Sequence, residues 1–205
     1  MNLETAEARL LNAAEMLFNE RGVQAVGMDD IRAASGVSLK RLYQVFPAKD
    51  RLVEAVLRRR DKICLEAIAL HASSFATPRE QILGVFDYLH EWFTEPDFRG
   101  CVFINSFGEM GGISDRVADI IRANKRGLSE YFGELVSAAG LPASLADQLA
   151  ILANGAMASA GILGSPEPAL DAKNAATVLL DAAATNATLT DAPTTHFLAR
   201  TRELA

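Results

Sequence analysis

The segment GVSLKRLYQVF, residues 36–46, carries two kinds of side chain at helical spacing. Leu42 and Phe46 are four residues apart, so a helix would place both on one apolar face. The opposite face then carries four long polar side chains: Lys40, Arg41, Tyr43 and Gln44. A helix that buries apolar residues on one side and presents hydrogen-bond donors on the other is suited to bind a polyanion.

The residues before this segment predict a second short helix, joined to the first by a tight turn. Residues 28–35 have apolar side chains on one face and acids in the first turn, where the helix dipole favours them. Gly36 ends this helix, Ser38 is the expected N-cap of the next one, and Pro47 limits its end. Together the two short helices predict a helix-turn-helix unit, which places its second helix in the DNA major groove.

Charge is unevenly distributed along the 205 residues, whose formal net charge is −6. Residues 1–60 carry ten Lys and Arg against eight Asp and Glu, whereas residues 61–205 carry ten against eighteen. From Arg32 to Lys62 there are nine Lys and Arg against three Asp and Glu. A basic block on an acidic chain favours a small nucleic-acid-binding module attached to a body with another role. A solvated helical surface would give the same pattern.

A longer pattern surrounds the two short helices. In order, it consists of Ala13-Ala14, Leu17-Phe18, Arg21-Gly22, Asp30-Ile31, Ala33-Ala34, Gly36-Val37-Ser38, Leu42-Tyr43, Phe46 and Lys49. In these positions, over about residues 5–60, the sequence resembles the TetR family of transcriptional regulators. It departs from the family pattern at Gly27, where Thr is usual, at Val45, where His is common, and at Lys40, where Gly is frequent.

The resemblance implies a DNA-binding surface on the second, third and fourth helices. The residues expected in it are Met28, Ser38, Leu39, Lys40, Arg41, Tyr43, Gln44 and Lys49. Tyr43 and Lys49 stand where the family contacts the DNA backbone. The backbone N–H of Met28 can serve as a phosphate donor in place of the missing Thr hydroxyl.

Three of these side chains have the reach and the hydrogen-bonding groups to contact bases. Lys40 and Arg41 suit the O6/N7 edge of guanine, and Gln44 suits adenine. Leu39 is ambiguous, because it could join the inner face of the helix or contact a thymine methyl group. The polar residues predict a sequence-specific DNA-binding protein, and the resemblance implies a repressor.

Helical periodicity extends over nearly the whole chain, so the predicted fold is all-α. The expected organisation is an N-terminal three-helix helix-turn-helix domain at residues 1–50, with the start of a linking fourth helix to about residue 60. A larger helical ligand-binding and dimerisation domain follows at residues 51–205. The expected helices are residues 3–20, 28–35, 39–46, 49–73, 78–93, 101–110, 115–139, 143–163 and 169–189.

The last two long helices carry stripes of small side chains, which allow close approach of helix axes. The stripes are Ala150, Ala158 and Gly161 with Asn154, and Ala172, Ala175, Ala176, Leu179 and Ala183. They predict a two-fold homodimer through a four-helix interface, and hence a near-palindromic DNA operator. The alternative is that both stripes pack inside their own subunit.

The resemblance also implies a cavity for a small-molecule effector, and aromatic residues suggest a mostly hydrophobic one. The candidate ligand-binding residues are Phe86, Trp92, Phe93, Phe103, Phe107 and Cys101, with Tyr88 beside them and Asn105 or Glu109 as polar groups. Core packing would explain the same aromatic residues. Cys101 follows Arg99 at a helix start, so it is either a reactive thiol that senses electrophiles or a buried core residue.

Other function classes have weaker support in the sequence. HExxH, GxSxG and glycine-rich phosphate loops are absent, so we expect no enzyme and no cofactor. Asp87, His90 and Glu91 share a helix face and could bind a metal, which leaves a helical metal-binding or catalytic protein without DNA binding as the alternative. No signal peptide and no 20-residue apolar run is evident, which indicates a cytoplasmic protein.

Overall fold

The structure is a computed structural model, which describes residues 2–190 and the side chains of residues 2–185. Within that range the chain forms nine helices and no strand, so the all-α prediction is confirmed. The helices are α1 (Leu3–Arg21), α2 (Met28–Ser35), α3 (Leu39–Val45), α4 (Lys49–Ala72), α5 (Pro78–Phe93), α6 (Val102–Met110), α7 (Asp115–Ala138), α8 (Leu145–Leu163) and α9 (Glu167–Thr190).

Helices α1, α2 and α3 pack together as a unit that we call the head. The buried side of α1 follows the apolar periodicity of its sequence and includes Leu10, Ala14 and Phe18. Ile31 of α2 and Leu42 of α3 are completely buried between the helices. Because these side chains fill the centre of the head, the polar side chains of α3 point outward.

Helix α4 connects the head to the body, which we define as α5 to α9. It packs on α1 at one end and on α5 and α7 farther along. In the body, α5 and α7 meet through Phe86 and Phe132, whose ring centroids are 6.0 Å apart. Helix α8 packs between α7 and α9, and the short α6 lies on α7.

Helix α9 begins two residues earlier than the sequence suggested, at Glu167 rather than Ala169. Pro168 therefore lies inside the first turn instead of in the preceding loop. A proline is tolerated there because the N–H groups of the first turn have no partner within the helix. None of the helices described here is long and apolar enough to cross a membrane.

The small-residue stripes of α8 and α9 are partly buried within the subunit. Ala150, Ala172 and Ala176 are buried within the subunit, so this part of the stripe packs α8 and α9 against each other and the body. Large apolar side chains are exposed instead on these helices: Ile151, Ile162, Leu163, Leu170 and Val178. The part of the dimer prediction that relied on Ala150, Ala172 and Ala176 is therefore wrong, since close packing within the subunit already uses them.

Candidate nucleic-acid interface and internal cavity

Helix α3 has the two faces that its sequence predicts. Leu42 and Phe46 are buried, while Lys40 and Gln44 are exposed and Tyr43 is 47% exposed. Arg41 is half-buried. Leu39 is 45% exposed, so it lies on the outer face and not with Leu42. The outer surface of α3 therefore presents side chains that can donate hydrogen bonds, together with one apolar side chain.

The ends of α2 and α3 are fixed by local hydrogen bonds. The Ser38 hydroxyl oxygen accepts a hydrogen bond from the Arg41 backbone N–H at 3.4 Å, as an N-cap does. At Gly27, which precedes α2, the backbone N–H donates to Asp30 Oδ2 at 2.8 Å. Gly36 has φ 63°, a left-handed conformation that suits glycine and makes the turn between the helices. Met28 is half-buried at the first position of α2.

Lys49 lies at the first position of α4, beside the head. Its Nζ donates to the backbone oxygen of Gln24, in the turn between α1 and α2, at 3.4 Å. This contact holds an ammonium group near the surface of the helix-turn-helix unit. The side chain is half-buried and stands at the start of the helix that connects the head to the body.

The sequence profile for bacterial regulatory proteins of the tetR family matches residues 10–56. Two solved structures from Streptomyces resemble most of the fold. One is SCO4454, a TetR-family transcriptional regulator from Streptomyces coelicolor, with TM-score 0.81, 28% identity and coverage of 87% of this chain and 90% of that chain. The other, from Streptomyces avermitilis, is described as a TetR-type transcriptional regulator (sav143), with TM-score 0.78, 32% identity and coverage of 87% and 98%. This chain belongs to the TetR family.

Curated relatives match a smaller part of this TetR-family regulator. The uncharacterised HTH-type transcriptional regulator Rv1255c of Mycobacterium tuberculosis is 32% identical over 80 residues, which cover 39% of this chain and 40% of the relative. The HTH-type transcriptional activator FasR of Mycolicibacterium smegmatis is 32% identical over 101 residues, 48% of this chain and 46% of the relative. The matched region thus spans less than half of either curated relative.

Glu109, near the end of α6, connects the body directly to the head. Its Oε1 accepts the Val23 backbone N–H at 3.1 Å, and its Oε2 accepts the Gln24 backbone N–H at 2.7 Å. The Gln24 side chain donates in return to the Glu109 backbone oxygen at 2.6 Å. At Gly22, φ is 80° and an added Cβ would lie 2.8 Å from Glu109 Oε1. Glu109 therefore binds the α1–α2 turn and does not line the cavity described below, which corrects its suggested role as a pocket residue.

Replacing Glu109 with Ala should destabilise the contact between head and body. Two backbone N–H groups lose a charged acceptor, and hydrogen bonds to charged groups contribute about 1.5–3 kcal/mol each. Because the site is partly solvated, we expect a decrease of about 1–3 kcal/mol in the free energy of unfolding, measured by urea denaturation. The control is Glu130→Ala, which removes an exposed carboxylate from α7. Equal stability of the two variants would contradict this role for Glu109.

A partly open cavity of about 440 Å³ lies between the head and the body. Its walls come from α1, α4, α5, α6, α7 and α8 and from the loop before α6. Most of the apolar lining consists of Met16, Val56, Leu65, Ile68, Tyr88, Trp92, Phe98, Phe103, Leu128 and Met157. A cavity of this size with a largely apolar wall and a few polar groups is typical of a small-molecule site.

The cavity contains three of the six residues named from the sequence as ligand-binding candidates. Trp92, Cys101 and Phe103 line it. Phe86 and Phe93 are buried elsewhere in the core, and Phe107 is 44% exposed. Phe98 lines the cavity and was missed, although its ring lies only 5.1 Å from that of Trp92. It stands in a loop, where helical spacing gives no signal about the direction of a side chain.

Two cysteines line the same cavity. Cys101 is 4% exposed, and its Sγ lies 3.3 Å from Lys125 Nζ. The expected guanidinium neighbour, Arg99, instead donates to the backbone oxygens of Pro96 and Phe98. Lys125 is therefore the cation beside this thiol. Burial raises the pKa of the second thiol, Cys64, and the Arg60 guanidinium opposes this in part.

The raised pKa of Cys64 predicts slow alkylation. A thiolate is the reactive form, so a thiol with a raised pKa carries less of it at neutral pH. We expect Cys64 to react with iodoacetamide more slowly than a free-cysteine peptide at pH 7. As the pH is raised, the reaction rate of Cys64 should begin to increase at a higher pH than the rate of the peptide. Peptide mass spectrometry reports the rate at each cysteine separately. A Cys64 rate equal to or above that of the peptide would contradict the expectation.

The Asp87, His90 and Glu91 trio does not form a cluster in the structure. Asp87 accepts two hydrogen bonds from Lys173 Nζ, at 2.6 and 2.8 Å. Glu91 lies 3.8 Å from His71 Nδ1. Among the side chains that the structure describes, no group of three or more His, Cys, Asp or Glu residues is placed to hold a metal ion. The trio thus offers no support for a metal-binding function.

Proposed function

We propose that this TetR-family regulator is a homodimeric repressor that binds a near-palindromic operator and leaves it when a small, mostly apolar molecule occupies the cavity. The observation that carries the proposal is the exposed polar face of α3, above buried Leu42 and Phe46, inside the segment that matches the family. The proposed domains are residues 1–50 for DNA binding and 51–205 for ligand binding and dimerisation. Residues from 50 to about 60 begin the connection between them.

In the proposed complex, α3 lies in the major groove. Lys40, Arg41 and Gln44 face the base edges, and exposed Leu39 is available for a thymine methyl group. Tyr43 and Lys49 contact phosphates, as does the backbone N–H of Met28 at the start of α2. Ser38 lies at the start of α3, where its exposed position also suits a contact to the DNA backbone.

The proposed dimer forms through the exposed faces of α8 and α9. Ile151 and Ile162 are eleven residues apart, close to three helical turns, so they lie on the same face of α8. Exposed Val178 extends this apolar surface to α9. A second copy related by a two-fold axis would cover the same surface on both subunits, as homodimers commonly do.

Effector binding is proposed to act through helices that belong to both parts of the molecule. The cavity contacts Met16 of α1, in the head, and residues of α4 as well as the body. Glu15 of α1 accepts hydrogen bonds from Arg59 and Arg60 of α4 at the cavity wall. A ligand that binds one arrangement of α1, α4 and the body more tightly therefore shifts the population toward it.

The sign of regulation is tested by measuring transcription. FasR is named an activator, so matched relatives do not all repress. A reporter promoter that overlaps the preferred DNA site of this protein should be less active when the chain is expressed, because a bound dimer blocks polymerase. Expression that raises reporter output would make the protein an activator. Unchanged output with the DNA site occupied would contradict regulation at that promoter.

A further inference from the structure

Lys125 of α7 places its ammonium group at the wall of the cavity without a carboxylate partner. Its Nζ lies 2.8 Å from Asn154 Oδ1 and 3.3 Å from Cys101 Sγ. It also lies 5.8 Å from the centroid of the Phe103 ring. These partners are an amide, a thiol and an aromatic face, and Lys125 forms no ion pair with any of the described side chains. The side chain is half-buried.

The other cations of the cavity wall have different partners. Arg59 and Arg60 both contact the Glu15 carboxylate. Arg99 is exposed and donates to backbone oxygens. Among the cations of the described cavity wall, Lys125 is therefore the one that contacts a side-chain amide and a thiol instead of a carboxylate or a backbone carbonyl.

A carboxylate would be a better partner for Lys125 than the groups that now contact it. Sulfur is a weak hydrogen-bond acceptor, whereas a hydrogen bond between two ionised groups is about twice as strong as a neutral one. Salt also screens a partly buried pair less than an exposed one. Asn154 is held in place by its own hydrogen bond to the Ala150 backbone oxygen, at 2.8 Å, so it can position Lys125 while a ligand replaces the thiol contact.

The remaining wall suits the rest of such a ligand. Trp92, Phe98, Phe103 and Met157 supply apolar surface to the cavity wall. Exposed carboxylates of Glu95 and Asp97 also belong to the lining and would repel a second negative charge on the ligand. The geometry therefore favours a molecule with one acidic group and an uncharged apolar body.

We infer that the effector is a small monocarboxylate with an apolar ring or chain, and that its carboxylate pairs with Lys125 Nζ. This inference rests on the proposed function, because it names the chemical class of the effector for the same cavity. It adds Lys125 as the residue that determines specificity for an acid over the corresponding neutral molecule.

The single tryptophan of the chain, Trp92, lines the cavity and reports binding without any DNA. The probes are phenylacetate, 4-phenylbutanoate and 8-phenyloctanoate, each paired with its primary amide. Each amide has nearly the same shape but no charge, so the pair isolates the contribution of the carboxylate. Trp92 emission is followed on excitation at 295 nm, where the phenyl group does not absorb.

We expect at least one acid to bind wild-type protein about tenfold or more tightly than its amide, the minimum expected of a charge-assisted hydrogen bond. Lys125→Met should weaken binding of that acid about tenfold and leave the affinity for the amide unchanged. Lys125→Arg, which keeps the charge, should retain a preference for the acid. Arg126→Met is the control: it removes the same charge from an exposed neighbour on α7 and should behave as wild type.

The inference is overturned if none of the acids changes Trp92 emission up to 10 mM, if acids and amides bind equally, or if Lys125→Met keeps the preference for the acid. Melting curves of Lys125→Met and Lys125→Arg confirm that the variants are folded. DNA binding without ligand is measured separately. If the protein binds its preferred DNA site but has no preference for acids, the proposed function stands and this inference is wrong. If the protein does not bind DNA, the proposed function itself is wrong.

Discussion

Tyr43→Ala combined with Lys49→Ala should weaken binding to the preferred DNA duplex of the protein by about tenfold to a hundredfold at 0.1 M salt. Each change removes one proposed phosphate contact per subunit, and four solvent-exposed contacts at about 0.5 kcal/mol each would weaken binding by about 2 kcal/mol. Loss of Lys49 from both subunits of a dimer should also make the plot of log affinity against log salt concentration shallower by about 1.8, since each phosphate contact contributes about 0.9. Fluorescence anisotropy with a labelled duplex measures both quantities.

Phosphate contacts carry no sequence information, so the double variant should lose affinity for specific and scrambled duplexes alike. Lys62→Ala is the matched control, because Lys62 is an exposed lysine on the same helix, about 20 Å farther along its axis. Wild-type affinity in the double variant, or an equal loss of affinity in Lys62→Ala, would contradict the proposal that α3 and the start of α4 contact DNA.

Ile162→Glu should separate the dimer. Ile162 of α8 is 83% exposed in the single subunit, and the proposed two-fold interface would bury it beside its own copy. Two carboxylates facing each other in an interface cost several kcal/mol, which corresponds to a dissociation constant at least about a hundredfold higher. Sedimentation velocity at micromolar concentration should show wild-type dimers and mostly monomeric variant.

The control for this change is Ile113→Glu. Ile113 lies between α6 and α7 and is 69% exposed, so the substitution makes the same chemical change outside the proposed interface. Ile113→Glu should sediment as wild type. A dimeric Ile162→Glu protein, or a wild-type protein that remains monomeric at tens of micromolar, would contradict the interface on α8 and α9.

Short-range periodicity is enough to predict which side chains of a short amphipathic helix are buried. Leu42 and Phe46 are four residues apart on one short helix, so the sequence alone indicated that they pack inward. The resulting all-α fold and the family membership are confirmed. In the same way, Gly36 was recognisable as the turn between α2 and α3, because its left-handed conformation favours glycine.

Contacts between distant parts of the chain could not be predicted from the sequence in this way. Glu109 binds Val23 and Gln24, more than eighty residues earlier, and nothing in the local sequence pairs them. Phe86 and Phe103 are both buried aromatic residues, yet only Phe103 faces the cavity. Apolar periodicity predicts burial, but it does not separate a core position from a cavity wall. The position of Lys125 beside Cys101 likewise depends on how α7 packs against the start of α6.

The most direct test of sequence-specific DNA binding is selection from a pool of randomised DNA duplexes by the wild-type protein. We predict enrichment of a near-palindromic motif whose half-sites are related by a two-fold axis, as a symmetric dimer requires. The enriched duplex should bind about a thousandfold or more tightly than a scrambled duplex at the same salt concentration. A pool that gains no common motif, or a selected duplex that binds no better than its scrambled form, would contradict the proposal that this protein reads DNA sequence through α3.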